Sequence, residues 1–342
     1  MKKFIALTLA MLMVLSLAAC GSKSNAETSS STGTSSSAPA TSATETPKTD
    51  FPTKAITVII PYDAGGGSDL MTRKVCSIVE QQTGWTLTCT NVPGGSGATG
   101  YVELLSRKAD GYTVLGCTST IVTLKAMGTI DYNYADYDVI AGYNQEICTL
   151  GVNADWANAN GIDTLQDFID YSKAHPGEVN IASTAVGGIW NVDTVYAASV
   201  VGCDWTIVPN GGGATQAVVD CAGGSVQACT AGALEIWNQA SSGAIKMLAV
   251  MSDERIEAYP DVPTFKENGY DAVGTTTRSY LAPKGVPADV LAILEEAFMA
   301  AVASDDFKKY CAAQGSVAWN TSGAEALAQY ESEEEIFAKI LS

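Results

Sequence analysis

Histidine is almost missing from this chain: His175 is the one in 342 residues. Proton relays between histidines and metal sites built from several of them are excluded. Cations are scarce as well. Nineteen Lys and Arg stand against 37 Asp and Glu, a formal net charge of −18. A nucleic-acid-binding face needs clustered positive charge to replace phosphate counterions, so this composition makes that function a poor reading. There is no Cys-x-x-Cys for a zinc ribbon or thioredoxin-like site, no Gly-x-Ser-x-Gly elbow and no His-Glu-x-x-His. After residue 20 no uninterrupted apolar stretch is long enough to span a bilayer. What remains is a chain with 46% hydrophobic and 16% charged residues, enough for a large core and, at this length, two domains.

The first 20 residues read as a targeting segment. Lys2 and Lys3 precede the apolar run Phe4 to Leu17, which ends in Leu17-Ala18-Ala19-Cys20. This resembles a bacterial lipoprotein signal, in which Cys20 is lipidated and becomes the new N-terminus. Lipidation with two or more acyl chains would anchor the chain stably to the outer face of the cytoplasmic membrane. Ser and Thr make up 16 of the 30 residues in 21–50, without apolar periodicity, so a tether with no core is expected there. Of the eight further cysteines, most sit in apolar runs and read as small buried hydrophobes. Cys76–Cys89 and Cys221–Cys229 are the local candidates for disulfides, which such a compartment permits.

The globular part is α/β. Residues 55–60 form a β-branched apolar run, the pattern of a strand buried on both faces. A glycine loop follows, with Ser68 as expected N-cap of a helix carrying Leu70, Met71, Val75, Ile78 and Val79 up to Gly84. Strands over 85–90 and 112–117 with a helix over 98–107 complete a βαβ rhythm, which predicts a mainly parallel sheet. The pattern restarts near 145. Strands are expected over 147–153, 179–183, 205–208, 226–230 and 246–251, and Thr164 to Asp167 resembles a capping box. From Pro287 onward the chain reads as helical, over 288–303, 304–313 and 323–340. The acidic run Glu331, Glu333, Glu334 and Glu335 reads as a solvated helix face. Two α/β halves with glycine-rich strand-to-helix loops suggest a cleft between two lobes.

Those loops are where binding chemistry is expected. Pro61 to Asp69 (PYDAGGGSD) joins a buried strand to a helix N-terminus. Consecutive glycines let backbone N–H groups turn inward, and the helix dipole adds partial positive charge, so a carboxylate or phosphate can bind without a cationic side chain. The alternative reading is a tight turn with no ligand. No Gly-Lys-Ser/Thr follows, so this is not a nucleotide P-loop. Pro93 to Gly97 and Thr118-Ser119-Thr120 occupy the same position after the next two strands. In the second half, Ser183 to Gly188 and Pro209 to Gly213 repeat it.

FPTKAITVIIPYDAGGGSD, NVPGGSGATG, ADGYTVL, AHPGEVNIAST, IVPNGGGATQAVVD, KMLAVMSDERIEAYPDVPTFKENGY and LAPKGVP, in this order, resemble the solute-binding proteins of tripartite tricarboxylate transporters, the Bug family. The resemblance covers nearly all of 51–290. It implies a two-lobed, type 2 periplasmic-binding-protein-like fold, with Rossmann-like lobes and a hinge. Lobe 1 would comprise 51–145 plus 275–342 and lobe 2 residues 146–274. It also implies that ligands are held by the first glycine loop and by the loop after the second-lobe strand, which map onto Ala64–Asp69 and Thr184–Asn191. The full candidate set is Tyr62, Ala64, Gly65, Gly66, Gly67, Ser68, Asp69, Ser96, Ser119, Thr184, Ala185, Gly187, Asn191, Asn210 and Arg278. The sequence departs from the family where a histidine is usual (Asn191), an aromatic is usual (Thr277) and a tyrosine is usual (Asn210). Arg278 reads either as a bidentate carboxylate partner or, the favoured reading, as a solvated arginine at the lobe junction.

The expectation is therefore a monomeric extracytoplasmic receptor. It would capture a small carboxylate and pass it to a membrane permease with a large and a small subunit, without catalysis, cofactor or metal. A ligand sensor for a membrane receptor and a secreted hydrolase are the alternatives.

Overall fold

Ile56–Ile60 is β-branched throughout and becomes strand β1, buried at four of its five positions. The computed structural model describes residues 49–211 and 213–340. The expected leader, Cys20 and nearly all of the tether lie outside them. The helix after β1, α1 (Gly67–Thr83), buries Met71, Val75, Ile78 and Val79 and stops at Gly84, whose left-handed backbone closes the last turn on the Glu80 carbonyl. Then come β2 (Leu87–Asn91), α2 (Ala98–Leu105), β3 (Thr113–Thr118) and α3 (Thr120–Ala126).

A 17-residue strand, β4 (Tyr137–Asn153), leads into the second half. There α4 (Ala154–Ala159), α5 (Leu165–Ala174), β5 (Asn180–Thr184), α6 (Ile189–Val201), β6 (Thr206–Asn210), α7 (Gly213–Ala222), β7 (Ala228–Gly232), α8 (Ala233–Ala240) and β8 (Ile245–Val250) follow. The expected capping box starts α5, with Thr164 and Asp167 exchanging side-chain and backbone bonds. The chain returns through β9 (Thr275–Pro283) and ends with α9 (Ala288–Ala303), α10 (Asp305–Ala313), β10 (Val317–Ser322) and α11 (Gly323–Ile340).

Among the described residues the strands form one path, β2-β1-β3-β9-β4-β7-β5-β6, with β8 and β10 also on β4. Parallel pairing between these strands lies in the two cores, β1 with β2 and β3, and β5 with β6 and β7. Strands β4 and β9 instead run antiparallel to their neighbours. β4 carries the chain into the second half, and β9 brings it back after residues 154–274. The N-terminal part of β4 pairs with β9, and its C-terminal part pairs with β7 and β8. A single strand thus belongs to both halves.

Several expectations are corrected. Residues 317–322 form a strand on β4, not part of an all-helical tail. Ser68 is not the N-cap of α1; Gly66 is, and it offers no side chain. Glu333 is not solvated. It is 5% exposed and accepts from Thr277 at 2.8 Å and Gln329 at 3.1 Å. His175, which before Pro176-Gly177 at a helix end reads as exposed, is half-buried and stacked on Tyr171. The eight cysteines among the described residues are unpaired thiols. Cys76 and Cys89 are close enough to influence each other's titration, as are Cys221 and Cys229, so both candidate pairs lie side by side without an S–S bond. Among the described residues no helix is long and apolar enough to cross a membrane.

Candidate functional site

The loops after β1, β2, β3, β5 and β6 meet in one cleft, at the carboxyl ends of the strands. The space between these loops comes to about 720 Å³ with the open solvent at its mouth included. The first half contributes Tyr62, Gly66, Gly67, Ser68, Ser96, Thr118, Thr120 and Arg278. The second contributes Thr184, Ala185, Gly188, Trp190, Asn210, Thr215 and Glu235.

The two halves touch around it. Thr123 donates to the Gly187 carbonyl at 2.5 Å, Ile189 N–H donates to Thr120 Oγ1 at 3.2 Å, and Ser96 Oγ donates to the Ala185 carbonyl at 3.5 Å. This is a closed arrangement. Ser96 holds a left-handed backbone, φ 55°, which a non-glycine residue adopts at a cost of about 1 kcal/mol. The strain aims its hydroxyl across the cleft.

Of the fifteen candidates, Tyr62, Gly66, Gly67, Ser68, Ser96, Thr184, Ala185, Asn210 and Arg278 line the cleft. The other six do not line it. Asp69 braces the first loop: its carboxylate accepts from Gly65 N–H at 3.0 Å, from Arg73 at 2.8 Å and from Asn91 at 2.9 Å. Burial opposes its charge, but these donors prevail and hold its pKa below the usual range. Ser119 is fully buried and bonds Thr277 beneath the strand end. Asn191 is 6% exposed, and its N–H donates to Thr184 Oγ1, fixing that hydroxyl at the rim. Gly187 takes φ +83° against Leu124 in the contact between halves. Ala64 and Gly65 are exposed outside the cleft.

Arg278 is the main surprise. It is 2% exposed, so the solvated reading is wrong. In the pairing of β4 with β9, Arg278 lies opposite Asn144 and Thr276 opposite Glu146, which places all four on one face. The guanidinium donates to Glu146 and to Asn144 Oδ1, each at 2.5 Å, and to Ser68 at 3.1 Å. Glu146 is fully buried. Below the cleft there is accordingly a desolvated ion pair, which is costly to break on one side.

Sequence reasoning missed its third member, Glu235. Its carboxylate reaches across from α8 and accepts the Gly67 N–H at 3.0 Å. The expected anion site at the start of α1 is thus already capped, by a side chain 168 residues away. Glu146 Oε2, Glu235 Oε1 and the Arg278 Nη2 all lie within 3.2 Å of where a Cβ on Gly67 would sit. A side chain at Gly67 has no room. Burial, and then the charge of Glu146, push the Glu235 carboxyl up to about 7. Two features mark Glu235: it is an acid three residues after the buried β7, and Gly232 before it is crowded by both glutamates. Neither can be read without knowing that α8 faces α1.

Two α/β halves joined by crossing strands, with a cleft between their glycine loops, define a periplasmic-binding-protein fold. The profile of the tripartite tricarboxylate transporter family receptors matches residues 71–338, and the chain belongs to that family. BugT of Bordetella pertussis is 29% identical over 269 residues, covering 78% of this chain and 81% of BugT. Two solved structures from Rhodopseudomonas palustris share the fold. One, with adipate, is 23% identical with a TM-score of 0.79, covering 85% of this chain and 97% of its own. MatC with bound malate is 19% identical with a TM-score of 0.78, covering 85% of this chain and all of its own.

Proposed function

We propose that the chain is an extracytoplasmic solute receptor that closes its two lobes on a small carboxylate and hands it to a tripartite membrane permease with a large and a small subunit. The observation that carries the reading is the convergence of five small-residue loops, from both halves, on one closed cleft. Backbone N–H groups and hydroxyls there serve an anion without a free cationic side chain. The malate and adipate held by proteins of the same fold support the ligand class. Residues 51–145 plus 275–342 act as one lobe and 146–274 as the other, with β4 and β9 absorbing the hinge rotation. The cleft-lining candidates contact the ligand, while Asp69, Ser119 and Asn191 hold those contacts in place. The chain acts as a monomer, tethered through lipidated Cys20, and carries out no reaction.

The test is uptake. Deleting the gene should abolish growth or uptake on the cognate carboxylate, and a permease-subunit deletion should reproduce the defect. Intact uptake with a lost transcriptional response would replace transport by sensing.

A further inference from the structure

Helix α1 lies along strand β2 in a register that two hydrogen bonds fix. Toward one end, Glu80 Oε1 accepts the Leu87 N–H at 2.8 Å. Toward the other, Arg73 donates to Asn91 Oδ1 at 2.8 Å. Residues 73, 76 and 80 share one face of the helix, at spacings of three and four. Residues 87, 89 and 91 share one face of the strand, at spacings of two. The burial of β2 follows that alternation, with Thr88 and Thr90 exposed between them. Cys76 and Cys89 are therefore the pair that falls between the two brackets, and both side chains pack into the same apolar cluster.

The two thiols differ in the way that stepwise thiol chemistry requires. Cys76 is 2% exposed. Cys89 is partly exposed, on a strand that ends the sheet path. The adjoining Cys76, and after it the Arg73 guanidinium, draw the Cys89 thiol below its ordinary value although burial opposes them. Cys89 and burial push the Cys76 thiol well up. An accessible sulfur with thiolate character beside a sheltered one makes an attacking and a resolving thiol. The pair in the other half lacks this asymmetry, because Cys221 and Cys229 are both fully buried. Receptors of this family work outside the cytoplasm, where disulfides persist.

We propose that Cys76 and Cys89 form an oxidation site, which a disulfide oxidant converts to one intramolecular disulfide that fastens α1 to β2. The Cys89 thiolate attacks one sulfur of the oxidant and expels the other as a thiolate. Cys76 then gives up its proton and attacks Cys89 Sγ, expelling the second sulfur of the oxidant. The two protons lost by the cysteines go to the two leaving thiolates, so the oxidant is reduced to two thiols and the pair is oxidised by two electrons. The helix so fastened begins at Gly67, in the first glycine loop, and the bond lies beside the Asp69–Arg73–Asn91 bracket that braces that loop. This inference goes beyond the receptor reading, which stands whether or not the bond forms.

The experiment is oxidation of the folded full chain by oxidised glutathione at pH 8, quenched with iodoacetamide in urea and mapped by mass spectrometry after trypsin. No Lys or Arg lies between Lys74 and Arg107, so both cysteines fall on one tryptic peptide, 75–107. That peptide should lose two hydrogens and take no alkyl label, and dithiothreitol should restore both labels. Cys221 and Cys229 should still be labelled at that stage. Cys76→Ser should stop at a glutathione adduct on Cys89, whereas Cys89→Ser should leave Cys76 about tenfold or more slower to react. The oxidised chain should melt several degrees above the reduced one, the shift that closing a loop of about 14 residues implies, and the shift should vanish when both cysteines are replaced by serine. A peptide 75–107 that keeps both alkyl labels overturns the inference without needing any variant to fold. Oxidation that reaches Cys221–Cys229 first, or an adduct that forms on Cys76 and not on Cys89, overturns it as well.

Discussion

Replacing Glu235 by glutamine should stabilise this protein at alkaline pH and do little at acid pH. The carboxyl titrates near 7 in the folded chain, because burial and the neighbouring Glu146 both oppose its charge. In the unfolded chain it returns to its ordinary value of 4.5. The folded state therefore holds this proton more tightly. Its contribution is fully present below about pH 4.5 and is lost as pH rises through about 7. At about 1.4 kcal/mol per unit of pKa, the native state forfeits about 3 kcal/mol between these limits. Glutamine keeps an oxygen for the Gly67 N–H but cannot ionise. Near pH 5 the variant should lie within about 1 kcal/mol of wild type. At pH 8 it should be more stable by up to about 3 kcal/mol, roughly 6 °C in Tm for a domain of this size. Asp193 and Glu333 are also pushed up by burial and tilt both proteins the same way, so the difference between the two curves isolates Glu235. Asp69, held below its usual range, acts only at the acid end. The assay is scanning calorimetry of the full chain from pH 5 to 8.5 at fixed ionic strength. Parallel Tm curves with a constant offset would refute the buried-carboxylate argument.

Arg278→Met should cost about 3–5 kcal/mol in urea unfolding, because Glu146 loses its ion pair while staying buried; a loss under 1 kcal/mol would contradict the desolvated pair. Gly66→Val should weaken ligand binding about tenfold or more in titrations. Gly66 has an extended backbone with φ −79°, so the cause is not backbone strain. A Cβ there meets Thr215 Oγ1 of the opposite half at 3.3 Å, and the valine methyls would wedge the closed cleft. Unchanged affinity would remove this loop from the site. Gly187→Ala combines a left-handed φ with a 3.0 Å approach to Leu124. It should open the lobes, seen as a larger radius of gyration in solution scattering, and cost about 1 kcal/mol or more of stability.

The elements with strong local signals were legible. The β-branched run of β1, the apolar spacing and glycine stop of α1, and the capping box of α5 each carry their cause within a few residues. The loops that meet in the cleft were legible for the same reason: small residues at strand ends are a local pattern. What failed was long-range. Val317–Ser322 carries no strong alternation and becomes a strand because the open edge of β4 lies beside it. Arg278 looked solvated because nothing beside it in sequence could pair it; its partners lie 132 and 134 residues away on β4. Glu333 looked like one of several surface acids until α11 packed it against Thr277. Glu235 was invisible as a cap because α1 begins on glycines and the cap comes from the other half of the molecule. Polar burial is set by topology, and topology enters the sequence only through the pattern of whole elements.

The most direct test is a crystal structure of the full chain with the tightest carboxylate found by titration. The ligand should lie between the Gly66–Ser68 and Thr184–Gly188 loops, with density touching both halves and the halves closed as described. A ligand bound outside this cleft, or one with no carboxylate directed at these loops, would contradict the account.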